Sequence, residues 1–143
     1  MTRRLARELA MKTLFAREFG DEHSEGIHSQ LCEVEKISNA GQEFGSFLVQ
    51  GVITKQALLD SIIKKYAVEW DLERIAYVDK NIMRIALYEL IFSENTPIAV
   101  VINEAIEIAK NYSAPEAPGF INGILGKIIE DLPDLRNLGE KEL

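Results

Sequence analysis

Apolar residues recur at intervals of three and four positions along almost the whole chain, which is the period of amphipathic α-helices. We predict helices over 2–19 (ended by Gly20), 24–36, 42–66, 72–78, 80–92, 97–112 and 121–132, with a charged tail from about 133 to 143 that frays. No strand-type alternation of useful length occurs. The pattern therefore predicts an all-α fold of about seven helices in one compact domain, residues 1–143.

Two of these helices indicate the architecture. A helix over 42–66 would be about 37 Å long, so we expect it to form a structural spine. The helix over 80–92 is apolar nearly all round, which is typical of the centre of a bundle. Asp71 and Asp79 are plausible N-caps, for the short helix over 72–78 and for the helix over 80–92 respectively.

Composition and motifs exclude several classes of protein. The chain has 143 residues, one cysteine (Cys32) and two histidines, His23 and His28, which excludes an internal disulfide and a cysteine-based zinc cage. We expect solvated histidines, a buried Cys32, no metal site and no cofactor. No apolar run approaches the roughly 20 residues of a membrane span, and no signal peptide is recognisable, so we expect a soluble cytoplasmic protein.

Catalytic motifs are also missing from the sequence. There is no phosphate-binding GxxxxGK[ST] loop, no GxGxxG after a strand, no HExxH and no nucleophile elbow. We expect a protein without catalytic residues, which is not an enzyme.

Charge is distributed unevenly along the chain. The formal net charge is −7, yet residues 1–19 carry a net charge of +3 and the remainder −10. Phosphate binding depends on the local potential, so a basic N-terminal segment on an acidic body is compatible with nucleic-acid binding.

The first helix carries more cationic and aromatic side chains than docking on a core requires. Arg3, Arg4 and Arg7 lie opposite its apolar face, followed further along by Met11 and Phe15. One hypothesis is a second contact surface that binds RNA or DNA through arginine. The alternative is a solvated positive end, with Met11 and Phe15 packed under a neighbouring helix.

Isolated polar residues occur in the apolar helices that follow. Arg84 and Glu89 lie in the helix over 80–92, where an unpaired charge would be costly to bury. We expect a structural ion pair between Arg84 and either Glu104 or Asp79.

Three further polar positions and one aromatic lie on the last two helices. Asn103, Glu104 and Asn122 predict an interhelical hydrogen-bond set, and Gly123 would allow another backbone to approach closely. Phe120 stands beside a proline-bounded loop. It is suited either to stacking on an unpaired base or to the rim of the core.

Four stretches together resemble the NusB family of bacterial transcription antitermination factors. They are RRLARELA at 3–10, VDKNIMRIALYEL at 78–90, INEAIEIAK at 102–110 and FINGIL at 120–125, in the family's order and spacing. The resemblance implies an all-helical fold of two packed subdomains and a non-enzymatic role without a cofactor.

The resemblance also implies partners. Family members pair with NusE, a ribosomal protein, and bind the boxA element of nascent single-stranded RNA. They reach the RNA polymerase elongation complex indirectly and promote processive transcription of ribosomal RNA.

The family's functional residues carry over by position. Arg3, Arg4 and Arg7 match the arginine-rich RNA-binding segment of the family. Phe120 matches a second RNA-contacting region of the family. Phe15 and Asp79 match its NusE-binding surface.

This sequence departs from the family at two places. Leu5 stands where some members have another arginine, and the loop over 113–119 lacks their basic side chains. We therefore expect a small salt dependence and tight RNA binding only together with NusE.

Two alternative functions remain beside this one. The ribosomal-RNA cytosine methyltransferases carry a similar RNA-targeting domain at their N-terminus, although we find no methyltransferase domain in this sequence. A self-associating module would instead bury Met11 and Phe15 in a homodimer.

Overall fold

The computed structural model describes residues 2–20, 23–93 and 95–141. Over these ranges the chain forms seven α-helices and one short 3-10 helix, without a strand. The α-helices are α1 (Thr2–Arg17), α2 (Ser24–Glu35), α3 (Asn39–Tyr66), α4 (Tyr77–Phe92), α5 (Ile98–Tyr112), α6 (Ala117–Glu130) and α7 (Leu132–Lys141). The 3-10 helix, Leu72–Arg74, lies between α3 and α4. The prediction of an all-α fold is confirmed.

The helices form two packed groups. Helices α1, α2 and α3 pack against one another, and α4 packs against α5, α6 and α7. The groups meet where α4 lies against both α3 and α1. Arg3 lies beside Phe44 and Arg17 beside Gln56, so α1 and α3 run in the same direction.

Helix α4 lies at the centre, as its sequence predicts. Its residues from 79 to 91 are all buried except Tyr88. One continuous hydrophobic cluster contains residues from α1, α3, α4, α5, α6 and α7. Burial of apolar area on this scale is the main stabilising contribution to such a fold.

The long helix α3 begins earlier than predicted and is not straight. Ser38 caps its N-terminus, where Ser38 Oγ accepts a hydrogen bond from the Gly41 amide at 3.1 Å. Lys55 has non-helical dihedral angles (φ −105°, ψ 15°) inside the helix. The expected spine is therefore two helical segments joined at a kink.

The predicted boundaries around α4 were wrong. In the segment expected to form one helix over 72–78, Leu72–Arg74 forms the 3-10 helix, 75 and 76 are not helical, and 77 and 78 already belong to α4. Asp71 makes no side-chain cap there. Helix α4 begins at Tyr77 with Ala76 at its N-cap position. Asp79 therefore lies in the first turn of α4 rather than at its cap.

Both ends of the chain differ from the prediction. Helix α1 ends at Arg17, and the turn that follows contains Gly20 with φ +92°. At the other end, the chain bends at Asp131 and continues as α7 through the segment that we expected to fray. Proline fits the first turn of a helix, so Pro133 does not prevent α7.

His28 is buried between α2 and α3, which corrects the expectation of a solvated side chain. Its Nε2 lies 3.5 Å from Cys32 Sγ, and its Nδ1 lies 3.4 Å from Ser46 Oγ. The ring occupies the space beside Gly45, where a Cβ would lie 2.6 Å from Nε2. Burial lowers the pKa of His28, so the ring is neutral at pH 7.

None of the helices in the described part of the chain is both long enough and apolar enough to cross a bilayer.

Candidate nucleic-acid interface

The N-terminal end of α1 presents two arginines at the surface. Arg3 is exposed; its guanidinium carbon lies 4.2 Å from the centre of the Phe44 ring, and its Nη1 donates a hydrogen bond to Thr96 Oγ1 at 3.5 Å. The Arg4 side chain is 41% exposed. Both guanidinium groups reach solvent, so this end of α1 can contact phosphate.

Arg4 also binds a carboxylate of α5. Its Nε and Nη2 donate to Glu104 Oε2 at 3.1 and 2.5 Å. Hydrogen bonding from Arg4 lowers the pKa of Glu104, and the positive charges of Arg4 and Arg7 lower it further, whereas desolvation raises it. The net pKa of Glu104 is lowered. A phosphate must therefore compete with an ionised carboxylate for Arg4, whereas Arg3 contacts an aromatic ring and a hydroxyl.

Arg7 does not join Arg3 and Arg4 at the surface, which corrects the expectation from the sequence. Its side chain is only 4% exposed, and its Nε and Nη2 donate at 2.9 and 2.6 Å to the two oxygens of Glu89, which is fully buried. Its Nη1 lies 3.6 Å from Glu104 Oε1. Arg7 joins α1 to α4 and α5 inside the protein.

The reason for this error is that α1 is buried on more than one side. Helices α3 and α4 both pack on it, and Met11, expected on a second contact surface, is buried in the core. The signal that could have located Arg7 was Glu89 itself, because an isolated carboxylate in an apolar helix requires a cation. Burial of Met11 also removes half of the surface on which the homodimer hypothesis depended.

Arg84 forms a buried ion-pair cluster, but not with the partners predicted. Its Nε and Nη2 donate to the carboxylate of Asp60 at 2.7 and 2.9 Å, and its Nη1 donates to Glu18 at 2.6 Å. Asn81 Oδ1 accepts from the same Nη1 at 3.1 Å. The expectation of Glu104 or Asp79 as the partner was wrong, and the cluster instead joins α4 to α3 and to the turn that follows α1.

The expected hydrogen-bond set between α5 and α6 does not form. Asn103 and Asn122 are both exposed, and within the described ranges no hydrogen bond between helices joins them. A Cβ on Gly123 would meet nothing within 4 Å, so no backbone approaches there. Glu104 is the member of this set that is buried, and its partners lie on α1.

Asp79 lies at the junction of α4 with the loop between α5 and α6. It is largely buried, and its Oδ1 accepts a hydrogen bond from Ser113 Oγ at 2.5 Å. Its position in the first turn of α4 also suits a carboxylate, because the helix dipole is positive there.

Phe120 and Asp79 line the same cleft, although they are 41 positions apart. The cleft has a volume of about 550 Å³, and its wall also includes Trp70, Tyr112 and Ser113. The Trp70 ring, which the sequence analysis missed, packs edge-on against Phe120 with 5.5 Å between ring centres. A planar ligand in this cleft would meet aromatic rings.

Phe15 is half-buried and belongs to an aromatic chain that reaches the surface. Its ring centre lies 5.1 Å from that of Phe19, and Phe19 lies 5.7 Å from Tyr77. Phe19 is 67% exposed and Tyr77 is also exposed. In the sequence Phe19 is only the end of a helix and Tyr77 carries no signal, because the two rings meet only where the N-terminal turn of α4 packs beside the end of α1.

Together, the fold and these surfaces define an all-helical protein with exposed arginines and exposed aromatic rings. Such a combination suits contact with a phosphate backbone and with unpaired bases.

Comparison with known proteins gives the family. The model of the NusB family matches residues 4–130 of this chain. The transcription antitermination protein NusB of Elusimicrobium minutum is 42% identical over 137 residues, which cover 94% of this chain and 98% of the relative. The chain therefore belongs to the NusB family.

Solved structures agree with this assignment. NusB from T. maritima superposes with a TM-score of 0.84 at 37% identity, covering 90% of this chain and 91% of that one. A crystal structure of antitermination factors NusB and NusE in complex with dsRNA contains a chain that superposes with a TM-score of 0.81 at 27% identity. That match covers 90% of this chain and 96% of the other.

Proposed function

We propose that this protein is a transcription antitermination factor that pairs with NusE and binds the boxA element of nascent ribosomal RNA. The observation that carries the proposal is the exposed Arg3 beside the partly exposed Arg4 at the start of α1, in a chain that matches the NusB family over residues 4–130. A solved relative binds NusE and RNA together, which supports both partners.

The proposal divides the site residues into three roles. Arg3, Arg4 and Phe120 contact RNA, where arginine supplies charge and phenylalanine a stacking face. Phe15 and Asp79 contact NusE, and Phe19 extends the same surface. Arg7 acts as a positioning residue that holds α1 against α4 and α5.

The remaining structural residues stabilise the fold rather than the complex. Glu89 and Glu104 bind arginines of α1, and Arg84 binds the carboxylates of Asp60 on α3 and of Glu18 in the turn after α1. The one hydrophobic cluster that spans six helices supports a single domain.

The same proposal places the protein in the cytoplasm, where nascent RNA is made, and gives it no catalytic step. Its contribution to transcription is binding, with the elongation complex reached through NusE.

The experiment is a titration of labelled single-stranded boxA RNA with this protein, followed by fluorescence anisotropy. It is made with and without NusE, and a scrambled RNA of the same length is the control. Tighter binding with NusE and a preference for boxA are expected. Equal affinity for boxA and scrambled RNA under both conditions contradicts the proposal.

A further inference from the structure

A row of four aromatic rings lies between α3 and α4, outside the residues assigned above. Phe44 and Phe47 are stacked with 6.4 Å between ring centres. Phe47 lies 5.2 Å from Tyr88, and Tyr88 is stacked on Phe92 at 4.9 Å. We call these four residues the aromatic row.

Gly51 allows the two helices to share this row. A Cβ at Gly51 would lie 2.0 to 2.5 Å from atoms of the Tyr88 ring, far inside van der Waals contact. The ring of Tyr88 therefore lies directly against the backbone of α3. This places it between Phe47 of α3 and Phe92 of α4, so that the row is continuous across the junction.

The aromatic row is accessible and has a cation at each end. Phe47 is 39% exposed, and the other three rings are half-buried. The guanidinium of Arg3 lies over Phe44, and Nζ of Lys55 lies 5.8 Å from the centre of the Phe92 ring. Lys55 stands at the kink of α3.

We propose that the aromatic row continues the RNA-binding surface of α1 and stacks unpaired bases of the bound single-stranded RNA. The inference rests on the proposed function, because Arg3 belongs to both surfaces. Arg3 and Lys55 lie beside the phosphates at the two ends, and Phe47 offers the most exposed ring to a base. A groove that combines cations with a run of aromatic rings is the arrangement by which proteins hold single strands.

RNA fits this surface better than a protein segment does. Cations at both ends complement a chain of phosphates, and the row is continuous with Arg3 and so with the proposed RNA surface. The exposed Glu43 lies on the same helix, one turn before Phe47. The negative charge of Glu43 repels the phosphates of RNA. Neutralising Glu43 therefore tests independently whether the ligand is an anion.

The test compares Phe47→Leu with Phe47→Tyr in the full chain, by anisotropy of labelled boxA RNA with NusE present. Because one stacking ring is lost, we expect Phe47→Leu to bind the RNA about 5- to 150-fold more weakly. Phe47→Tyr keeps the ring and retains the affinity of the unsubstituted protein. Val34→Ala, which truncates an exposed apolar side chain of α2, is the control and leaves binding unchanged.

Charge variants give a second readout that does not depend on the ring. Lys55→Gln makes the negative slope of log K against log salt shallower by about 0.7, whereas Phe47→Leu leaves the slope unchanged because it removes no cation. Glu43→Gln strengthens binding. Circular dichroism of each variant confirms that the helices are retained.

The outcomes separate this inference from the proposed function. If the unsubstituted protein fails to bind RNA, the proposed function fails and the inference with it. If it binds RNA but Phe47→Leu and Lys55→Gln bind with unchanged affinity and slope, only the inference is overturned. Weaker association of Phe47→Leu with NusE in the absence of RNA also overturns it, because the row would then be a protein-binding surface.

Discussion

Two arginines one helical turn apart on α1 have different energetic roles because they meet different carboxylates. Arg4 pairs with Glu104 near the surface, where solvent screens the ion pair and its contribution to stability is small. Arg7 pairs with Glu89 inside the protein, where removal of one partner leaves a buried charge without compensation. The sequence alone makes these two arginines look equivalent.

We expect Arg7→Ala to lower the free energy of unfolding by about 3 to 5 kcal/mol, because the carboxylate of Glu89 remains buried without its cation. Chemical denaturation measures the change, and Arg4→Ala is the matched control, with a much smaller loss because its ion pair is screened by solvent. The double variant Arg7→Met with Glu89→Leu should recover most of the stability. Equal losses for Arg7→Ala and Arg4→Ala would contradict the buried pair.

Replacement of Arg3 and Arg4 by alanine should weaken RNA binding without unfolding the protein. Each lost phosphate contact flattens the salt dependence of log K by about 0.7 for a single strand. RNA titrations at several salt concentrations measure the slope, and the melting temperature should change little. An unchanged affinity would remove the start of α1 from the RNA site.

Asp79→Lys should weaken association with NusE while helical content is retained. The substitution reverses the charge at the first turn of α4 and breaks the hydrogen bond from Ser113. Pull-down or calorimetry with NusE measures the effect, and Ser113→Ala is the control that removes only the hydrogen bond. Loss of helical content in Asp79→Lys would instead mean that Asp79 stabilises the fold.

Helices α3 and α4 show how an element depends on its neighbour. The period of the sequence predicts both helices, yet it predicts neither the contact of the Tyr88 ring with the backbone of α3 at Gly51 nor the kink at Lys55. Gly51 has no unusual φ, so the Tyr88 ring is the reason for its small size. A glycine in mid-helix is otherwise unfavourable.

Gly51→Ala should therefore destabilise the protein by about 1 to 3 kcal/mol, because the new methyl group displaces the Tyr88 ring. Gly123→Ala in α6 is the contrasting variant. A Cβ there meets nothing within 4 Å, so helix propensity should increase stability by up to about 1 kcal/mol. Thermal denaturation compares the two, and a stabilising Gly51→Ala would contradict the packing.

At the scale of the whole molecule, charged side chains from four helices converge on α1 and its neighbours. Glu89 of α4 and Glu104 of α5 bind the start of α1, whereas Arg84 of α4 joins Glu18 to Asp60 of α3. These ion pairs connect the two groups of helices across the junction. Hydrophobic burial supplies most of the stability, and the ion pairs fix how the groups meet.

Stability should fall on mild acidification because of His28. Burial lowers its pKa in the folded state, so the unfolded chain takes up a proton first, near pH 6.5. The free energy of unfolding is then constant above about pH 6.5 and decreases below it, by at most about 1.4 kcal/mol per pH unit.

Urea denaturation at pH 7.5, 6.5 and 5.5 tests this dependence, with His28→Gln as the comparison. The variant should lose most of the decrease between pH 6.5 and 5.5. Glu104, whose pKa is lowered, acts in a separate range, because its contribution is lost only as the pH falls below about 4.5. An unchanged pH dependence in His28→Gln would show that another group is responsible.

The local pattern of apolar and polar residues in the sequence predicted much of the helical structure. The spacing of apolar residues predicted the helices and the central position of α4, because helical period and burial are properties of short segments. The motifs that resemble the NusB family predicted the fold and the family.

The sequence did not decide which side chains meet. The sequence placed Arg7 at the surface and gave Phe19 no role. The reason is that a helical wheel assumes one buried face, whereas α1 is covered on several faces. The partners of Arg84, the cleft shared by Phe120 and Asp79, and the aromatic row all join residues that are distant in sequence. Their geometry follows from helix packing, so only the tertiary structure decides which charges are buried and which surfaces remain for RNA.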